Sequence, residues 1–217
     1  MTPVAGEIVW TIIVAGGGGR RYGAAKQYER LGSGRVLDLA VDSARRASDG
    51  VVVVVPPEDV ASEGGVAGGE TRGESVRNGL AAVPDDATVV CVHDAARPLA
   101  SVELFDAVVA AVVEGADAAV PAVSVTDTVK VVDASGHVVA TPDRSTLVAV
   151  QTPQAFRAHV LRRAHAEGGE ATDDASLVEA AGGKVVVVDG SPTNVKITHP
   201  ADLVVAEALV PHPEARR

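Results

Sequence analysis

Short apolar runs rich in β-branched residues recur along the chain and alternate with stretches of helical periodicity. The runs span residues 8–14, 51–55, 88–92, 118–123 and 185–188. Uninterrupted apolar runs of this length are typical of strands that are buried on both faces of a sheet. Because strands that alternate with helices build parallel sheets covered on both faces, we predict an α/β fold with a mostly parallel, doubly wound sheet.

The stretches between these runs carry signals that are typical of helices. Leu104, Val108 and Val112 recur every four residues, and Ser101 before them is a candidate N-cap. Further helices are predicted at 36–47, 74–83 and about 201–210. The length of 217 residues suits one large α/β domain, so we predict a single domain over 1–217 with a Rossmann-like sheet.

One segment, 128–141, departs from the alternation of strands and helices. Two short apolar stretches, 128–133 and 137–140, flank a turn at Ser135-Gly136 and predict a β-hairpin. A hairpin is out of place in a doubly wound sheet, and on its own it gives only slight support for an oligomer.

The chain is acidic, with a formal net charge of −10, and only 2% of its residues are aromatic. A nucleic-acid surface needs a basic face, and single-strand binding needs aromatic platforms, so neither is expected. Cys91 is the single cysteine, which excludes an intrachain disulfide and favours a reducing compartment such as the cytoplasm. The sequence shows neither a signal peptide nor an apolar run long enough to span a membrane.

A glycine loop, AGGGGRRYGAAKQY at residues 15–28, directly follows the first predicted strand. Ligands of such sheets bind beyond the carboxyl ends of the strands, where glycines let backbone N–H groups approach a phosphate. Arg20, Arg21 and Lys26 follow the glycines with no acid between them, although the chain is acidic. This arrangement favours an anionic ligand over a simple strand–helix turn.

Two common nucleotide-binding motifs do not fit this loop. The dinucleotide fingerprint needs a third glycine where Arg21 or Tyr22 stands. A Walker A loop ends in Gly-Lys-Ser/Thr, whereas Lys26 follows Ala25 and precedes Gln27. What remains is a glycine loop followed by cations.

This loop and a series of later stretches resemble the 2-C-methyl-D-erythritol 4-phosphate cytidylyltransferase family in order and spacing. The later stretches are GGETRGESV (68–76), VHDAARP (92–98), DTVK (127–130), VQTPQAF (150–156), ATDDAS (171–176) and NVKIT (194–198). The resemblance extends from Ile12 to about Leu209. It implies transfer of CMP from CTP to 2-C-methyl-D-erythritol 4-phosphate, with release of pyrophosphate, in non-mevalonate isoprenoid synthesis.

The resemblance also implies a set of site residues. Arg21 and Lys26 would stabilise charge on the α-phosphate and on the leaving pyrophosphate. The triphosphate and the cytosine would be contacted by Ala15, Gly16, Gly17, Gly18, Gly19, Gly69, Glu70 and Ser75. The polyol phosphate would be bound by Arg97, Thr128, Arg157, Thr172 and Lys196.

Asp94 stands where the third predicted strand ends. Mg²⁺ is a hard ion that takes a carboxylate together with phosphate oxygens and waters. The resemblance implies that Asp94 binds Mg²⁺ and that Asn194 supports the metal; without the resemblance, an N-cap or turn aspartate is the simpler interpretation. We interpret His93 and Cys91 as structural residues of the strand.

The hairpin resembles the family's dimerisation arm, at about 126–150, which exchanges between subunits. It implies a homodimer in which Thr128, Thr172 and Arg157 bind the polyol phosphate, some of them across the interface. The family's cross-subunit arginine corresponds to Ala158, so either Arg157 takes the role through a shift of register or the role is lost.

The reaction itself indicates what kind of site to expect. A phosphate monoester is largely dianionic at pH 7, so the acceptor is already a nucleophile and needs no general base. Catalysis then depends on positioning two anions and neutralising their charge, which requires cations and a metal.

Three alternative functions stay open at this point. The first is a cytidylyltransferase for another polyol phosphate, such as ribitol 5-phosphate, although DTVK and DRSTLVAVQTPQ favour methylerythritol. The second is a nicotinamide-dependent dehydrogenase, against which the missing fingerprint counts. The third is a non-catalytic nucleotide-binding module, and Lys26, Asp94, Arg97 and Lys196 count against it.

Overall fold

The computed structural model describes residues 6–16, 22–23, 25–167 and 173–210. Its strands are β1 (Val9–Val14), β2 (Arg30–Leu31), β3 (Gly34–Arg35), β4 (Gly50–Val55), β5 (Val66–Ala67), β6 (Val89–Asp94), β7 (Ala118–Ser124), β8 (Val131–Val132), β9 (Val138–Ala140), β10 (Val148–Val150), β11 (Gln154–Arg157) and β12 (Val185–Asp189). Its α-helices are α1 (Val36–Ala47), α2 (Val60–Glu63), α3 (Arg72–Ala82), α4 (Val102–Val113), α5 (Ala158–Glu167), α6 (Asp174–Ala180) and α7 (Pro200–Leu209).

The centre of the fold is a mixed sheet in which most strands run in parallel. β5, β4, β1 and β6 lie side by side in parallel, and β12 pairs in parallel with β7. β11 is inserted antiparallel between β6 and β7, and β10 pairs antiparallel with the last residues of β7. The predicted α/β fold with a mostly parallel sheet is confirmed, and β10 and β11 are an addition that the sequence pattern did not predict.

Helices cover both faces of the sheet. Side chains of α1 and α4 form one buried cluster with Ile13 of β1, and side chains of α3, α5 and α6 form another with Ile12. Because successive strand residues point to opposite faces, a strand buried on both sides needs apolar residues at both positions. Cys91 is buried in the first cluster, where burial raises the pKa of its thiol to about 12, in agreement with a structural role.

Local capping signals set the helix bounds. α1 covers the predicted 36–47, and the Ser101 hydroxyl accepts a 3.3 Å hydrogen bond from the Leu104 amide at the start of α4. α3 begins at Arg72, two residues before the predicted start, because Thr71 and Glu74 form a capping box. None of the helices within the described ranges is long and apolar enough to cross a membrane.

The predicted hairpin is present as a small separate sheet. β8 and β9 pair antiparallel, and Gly136 between them has a φ of +83°, a left-handed conformation that favours glycine. Between 45% and 60% of the surface of each of its four valines is exposed: Val131, Val132, Val138 and Val139. We call residues 126–150, which carry this hairpin and return along β7 as β10, the arm. A two-stranded hairpin is marginally stable alone in water, so the arm requires further contacts.

Candidate active site

The carboxyl ends of β1 and β6 meet at one edge of the sheet. Val14 is the register partner of Asp94, so the glycine loop begins directly beside this carboxylate. Ala15 is buried there, and its amide donates to the carbonyl of Val54 over 2.8 Å. The start of the glycine loop and the predicted metal ligand are therefore neighbours.

Asp94 is held by two cations from distant parts of the chain. Lys196 Nζ lies 2.6 Å from its Oδ2, and Arg72 Nε lies 3.4 Å from its Oδ1. Burial raises the pKa of Asp94, but the charges of Arg72 and Lys196 outweigh this effect and lower the pKa to about 2. The carboxylate is therefore ionised at neutral pH, as a metal ligand must be.

The NVKIT segment before α7 gathers three of the predicted cations. Lys26 Nζ donates to the carbonyl of Ile197 over 2.7 Å. Arg97 Nη1 donates to the carbonyl of Asn194 over 2.7 Å. Lys196 belongs to the same segment, so three cationic side chains that are far apart in sequence are brought to one place.

A series of hydrogen bonds holds the backbone of Asp94 through Thr152 and His93. The Thr152 hydroxyl accepts from the Asp94 amide over 3.0 Å and lies 2.9 Å from His93 Nδ1. His93 Nε2 lies 3.1 Å from the Arg97 carbonyl, which only accepts, so Nε2 carries the proton and the Thr152 hydroxyl donates to Nδ1. This arrangement needs a neutral imidazole, and burial lowers the pKa of His93 to about 4. His93 is thus packed and hydrogen-bonded, as interpreted from the sequence.

Asn194 belongs to the same supporting structure. Its side chain is fully buried, and its Nδ2 donates to the Thr152 carbonyl over 2.9 Å. This bond ties the NVKIT segment to the stretch that precedes β11. The predicted supporting role of Asn194 toward a metal stays a prediction.

The predicted base-reading loop lies against the start of the glycine loop. The Ser75 hydroxyl accepts from the Gly69 amide over 3.1 Å and donates to the Thr71 carbonyl over 3.0 Å. A Cβ built on Gly16 would lie 3.2 Å from the Ser75 hydroxyl oxygen, so a side chain at Gly16 would press on this loop. Ser75 therefore orders the loop internally, while the Glu70 residue is exposed.

Comparison with known proteins extends over nearly the whole chain. The family model described as 2-C-methyl-D-erythritol 4-phosphate cytidylyltransferase matches residues 9–212. The chain belongs to this family. Curated proteins with that name are 49% identical in Frankia casuarinae, over 96% of this chain and 83% of that protein, and 48% identical in Rhodococcus jostii, over 93% and 95%. The crystal structure of the Thermus thermophilus protein of this name is 36% identical with a TM-score of 0.79, and the match covers 91% of this chain and 96% of that one.

Some predicted site residues of this cytidylyltransferase lie outside the described residues. They are Gly17, Gly18, Gly19, Arg21 and Thr172. Their roles stay predictions. Thr128 is described and lies exposed on the arm, after β7.

Arg157 does not lie with the other predicted site residues that the structure describes within one chain, and its predicted role across the subunit interface stays a prediction. It ends β11 and pairs in register with Val89, whereas Asp94 is at the opposite end of β6. Five residues of strand separate the two ends by about 16 Å. The Arg157 guanidinium is bound to Glu7 at 2.9 Å and to the Val113 carbonyl at 3.2 Å, so it stabilises the far edge of the sheet.

We expect Arg157→Ala to lower stability and to leave the Michaelis constants for both substrates unchanged. The substitution removes a partly buried ion pair, for which the expected loss is about 1–2 kcal/mol. In a chain of this size that loss lowers the melting temperature by about 2–8 °C. Thermal unfolding and steady-state kinetics on the same preparation test this; a large rise in KM for the polyol phosphate would return Arg157 to the site.

Arg72 and Asp174 are site residues that the sequence interpretation missed. Arg72 lies within the GGETRGESV stretch, and Asp174 within ATDDAS, but neither was singled out. Arg72 Nη1 lies 2.7 Å from Asp174 Oδ2, and Asp174 Oδ1 lies 2.9 Å from His165 Nε2. The one available signal was that Arg72 is a cation inside a stretch already assigned to CTP.

Proposed function

We propose that the chain transfers CMP from CTP to 2-C-methyl-D-erythritol 4-phosphate, giving 4-diphosphocytidyl-2-C-methyl-D-erythritol and pyrophosphate. Family membership supports this activity. The structural observation that carries it is the cluster of cations around one ionised carboxylate beside the glycine loop: Lys26, Arg72, Arg97 and Lys196. Folding of an acidic chain does not require such a cluster of cations. A reaction between two phosphate anions does require one, because their negative charges must be neutralised.

The proposed mechanism is an in-line displacement at the α-phosphorus of CTP. An oxygen of the acceptor phosphate forms a bond to the α-phosphorus, the bond to the bridging oxygen breaks, and pyrophosphate leaves with the electron pair. Lys26, with Arg21, neutralises charge on the α-phosphate and on the leaving group. Arg97 and Lys196 hold the acceptor phosphate close to it, which lowers the cost of bringing two anions together.

Asp94 fits the role of a Mg²⁺ ligand. It is an ionised oxygen donor at the edge of the sheet. Within the described residues, no group of three or more His, Cys, Asp or Glu side chains is arranged to hold a metal by protein ligands alone. Mg²⁺ in nucleotide sites is commonly held by one or two carboxylates together with substrate phosphates and waters. When bound, it would neutralise charge on the phosphates.

The proposed activity is tested by incubating the purified chain with CTP, Mg²⁺ and one polyol phosphate at a time. We expect pyrophosphate release with 2-C-methyl-D-erythritol 4-phosphate, and much less with ribitol 5-phosphate. Release with ribitol 5-phosphate alone would support the alternative substrate. Release with neither acceptor, from protein that binds CTP, would contradict the proposed function.

The arm supports a second part of the proposal, a homodimer with composite active sites. Its exposed valines form an apolar surface on a hairpin that has few partners within the chain. Beside it lie polar groups suited to a phosphate: Thr128 is exposed, and Arg144 Nη1 donates to the carbonyl of Thr126 over 2.7 Å. With Arg157 at the far edge of the sheet, Arg144 is the arm's arginine that we place at the partner's polyol phosphate.

We expect charged residues on the arm to separate the subunits and lower turnover. In the double variant Val132→Asp and Val139→Asp, burying two carboxylates in the interface is unfavourable, so sedimentation should show monomers. The monomers should still bind CTP, because its proposed site lies within one chain. Turnover should fall about tenfold or more, since contacts from Thr128 and Arg144 are lost. Val204→Asp is the control, because Val204 is 71% exposed on α7, a helix whose buried Ala206 packs with Leu31 and Val36 outside the arm. Unchanged dimers in the arm variant would contradict the proposal.

We expect kcat/KM for the polyol phosphate to fall below about pH 6, where the acceptor dianion takes up a proton. Asp94 does not produce this limb, because its pKa is lowered to about 2 and the carboxylate stays ionised. The stability that Asp94 contributes is present above its unfolded pKa and is lost only as the pH falls from about 4 toward 2. Rate profiles between pH 5 and 8, with unfolding measured at each pH, test this. A limb that stays in place when a phosphonate of higher pKa replaces the acceptor would assign it to the enzyme instead.

A further inference from the structure

The guanidinium of Arg72 bridges two carboxylates that belong to different elements of the fold. Its Nη1 lies 2.7 Å from Asp174 Oδ2 at the start of α6, and its Nε lies 3.4 Å from Asp94 Oδ1 at the end of β6. The Asp174 side chain is 1% exposed, whereas that of Asp94 is 13% exposed. The short, buried contact with Asp174 anchors the guanidinium. The longer contact orients it toward Asp94, the proposed metal ligand.

Asp174 is itself fixed on both sides. One carboxylate oxygen accepts from Arg72, and the other lies 2.9 Å from His165 Nε2, whose side chain is 3% exposed. Because a carboxylate oxygen only accepts here, His165 Nε2 is the donor of this hydrogen bond. Buried carboxylates require such donors, so a rotation of Asp174 away from Arg72 would leave a buried charge unpaired.

The backbone position of Arg72 connects this anchor with the proposed base-reading loop. Arg72 is the first residue of α3 and directly follows Thr71, whose hydroxyl accepts from the Glu74 amide over 3.1 Å. The same loop is held by the Ser75 hydroxyl, which contacts the Gly69 amide. The main chain of Arg72 therefore belongs to the loop, while its side chain contacts the acidic site.

Lys196 contacts Asp94 in a different way. Its side chain is 41% exposed and belongs to a segment that also holds Lys26 through the Ile197 carbonyl. Arg72 is 31% exposed and is anchored at a second, buried carboxylate. Of the two cations at Asp94, Arg72 is thus the one whose position is set by the protein.

We propose that Arg72 is a positioning residue of the transfer reaction, which Asp174 anchors so that the guanidinium fixes the Asp94 carboxylate relative to the base-reading loop. The proposal rests on the proposed function and deepens it. Arg72 acts through Asp94, and Asp174 and His165 act through Arg72. The bridge therefore makes the orientation of Asp94 depend on two residues that are remote from it in sequence.

The test compares Arg72→Lys, Asp174→Asn and the double variant in the full-length enzyme. Lysine keeps the charge but cannot span two carboxylates with a planar fork. We expect each single variant to lower kcat about tenfold to a hundredfold, with KM for CTP changed by less than about twofold. The double variant should be no slower than the slower single variant, because both substitutions break one bridge. Arg77→Lys, an exposed position on the same helix, is the matched control and should keep the wild-type kcat.

Further measurements separate positioning from a merely structural role. Losses in kcat that multiply in the double variant, or a lower melting temperature with an unchanged kcat, would overturn the proposal. If Asp174→Asn does not fold, His165→Phe is tested in its place. This variant removes the hydrogen bond to one Asp174 oxygen and keeps the ion pair between Asp174 and Arg72. We expect His165→Phe to lower kcat less than Asp174→Asn, and to have no further effect on kcat when Arg72→Lys is already present. Absence of pyrophosphate release by the wild-type enzyme would contradict the proposed function, whereas an active wild type with fully active variants would contradict only the role of Arg72.

Discussion

Asp94→Asn is expected to lower turnover by at least about a hundredfold while the protein stays folded. The substitution keeps the shape of the side chain and removes the negative charge that would hold Mg²⁺. The fold should survive because Arg72 keeps its ion pair with Asp174, and Lys196 is exposed enough to be hydrated. Pyrophosphate release and circular dichroism on the same sample measure the two effects.

Asp86→Asn is the matched control for this substitution. Asp86 is exposed in the turn before β6, at the end of the strand opposite to Asp94, so turnover should not change. An excess of chelator should silence the wild-type enzyme, and added Mg²⁺ should restore it. Normal turnover by Asp94→Asn, or by the wild type in excess chelator, would remove the metal from the proposed mechanism.

Lys26→Ala is expected to lower kcat much more than it weakens CTP binding. The lysine lies beside the NVKIT segment, where its Nζ donates to the Ile197 carbonyl over 2.7 Å. Its proposed role is to neutralise charge that grows on the pyrophosphate as the bond breaks, so the loss appears in the transition state. Contacts of this kind contribute roughly 3–4 kcal/mol, which corresponds to a loss of about 10²–10³-fold in kcat.

Calorimetric titration of CTP and steady-state kinetics together test this expectation. Lys184→Ala is a suitable control, because Lys184 precedes β12 at the opposite end of that strand from the carboxyl edge. A variant with an unchanged kcat and a raised KM for CTP would show that Lys26 binds the triphosphate without assisting the transfer.

Much of the fold follows from local patterns, since four buried strands, α1, α4 and the hairpin have uninterrupted periodicity or clear caps. The run at 185–188 does form β12, but the prediction that it is buried on both faces is wrong, because among the described strands β12 pairs only with β7 and Val187 is 57% exposed.

α5 and α6 are less visible because their buried faces include polar residues. In α5 the buried face combines Val160 and Leu161 with His165, and α6 has only seven residues, of which Asp174 is buried. β11 is four residues long and follows Pro153, so neither its length nor its flank indicates an interior strand.

The site was predictable where a residue lies inside a motif and much less so where topology brings residues together. Asp94 and Lys196 belong to short stretches that occur in the expected order, and the structure places them in contact. The bridge between Arg72 and Asp174 joins residues 102 positions apart, which come together only because α3 and α6 lie on the same face of the sheet. The resemblance to the family implies a role for Arg157 through a shift of register after TPQ, whereas the direction of β11 takes this residue to the far edge of the sheet within its own chain.

The cluster of cations at the carboxyl edge has a consequence for how substrates arrive. The chain carries a formal net charge of −10, so most of its surface repels CTP and a polyol phosphate at long range. Positive side chains are clustered at the edge near Asp94, and the electrostatic field of such a cluster steers anions toward the site before any contact forms. Dissolved salt screens that field over about 8 Å at physiological ionic strength. The rate of substrate association should therefore fall as ionic strength rises, whereas the rate of the transfer step, in which the groups are already in contact, should change less.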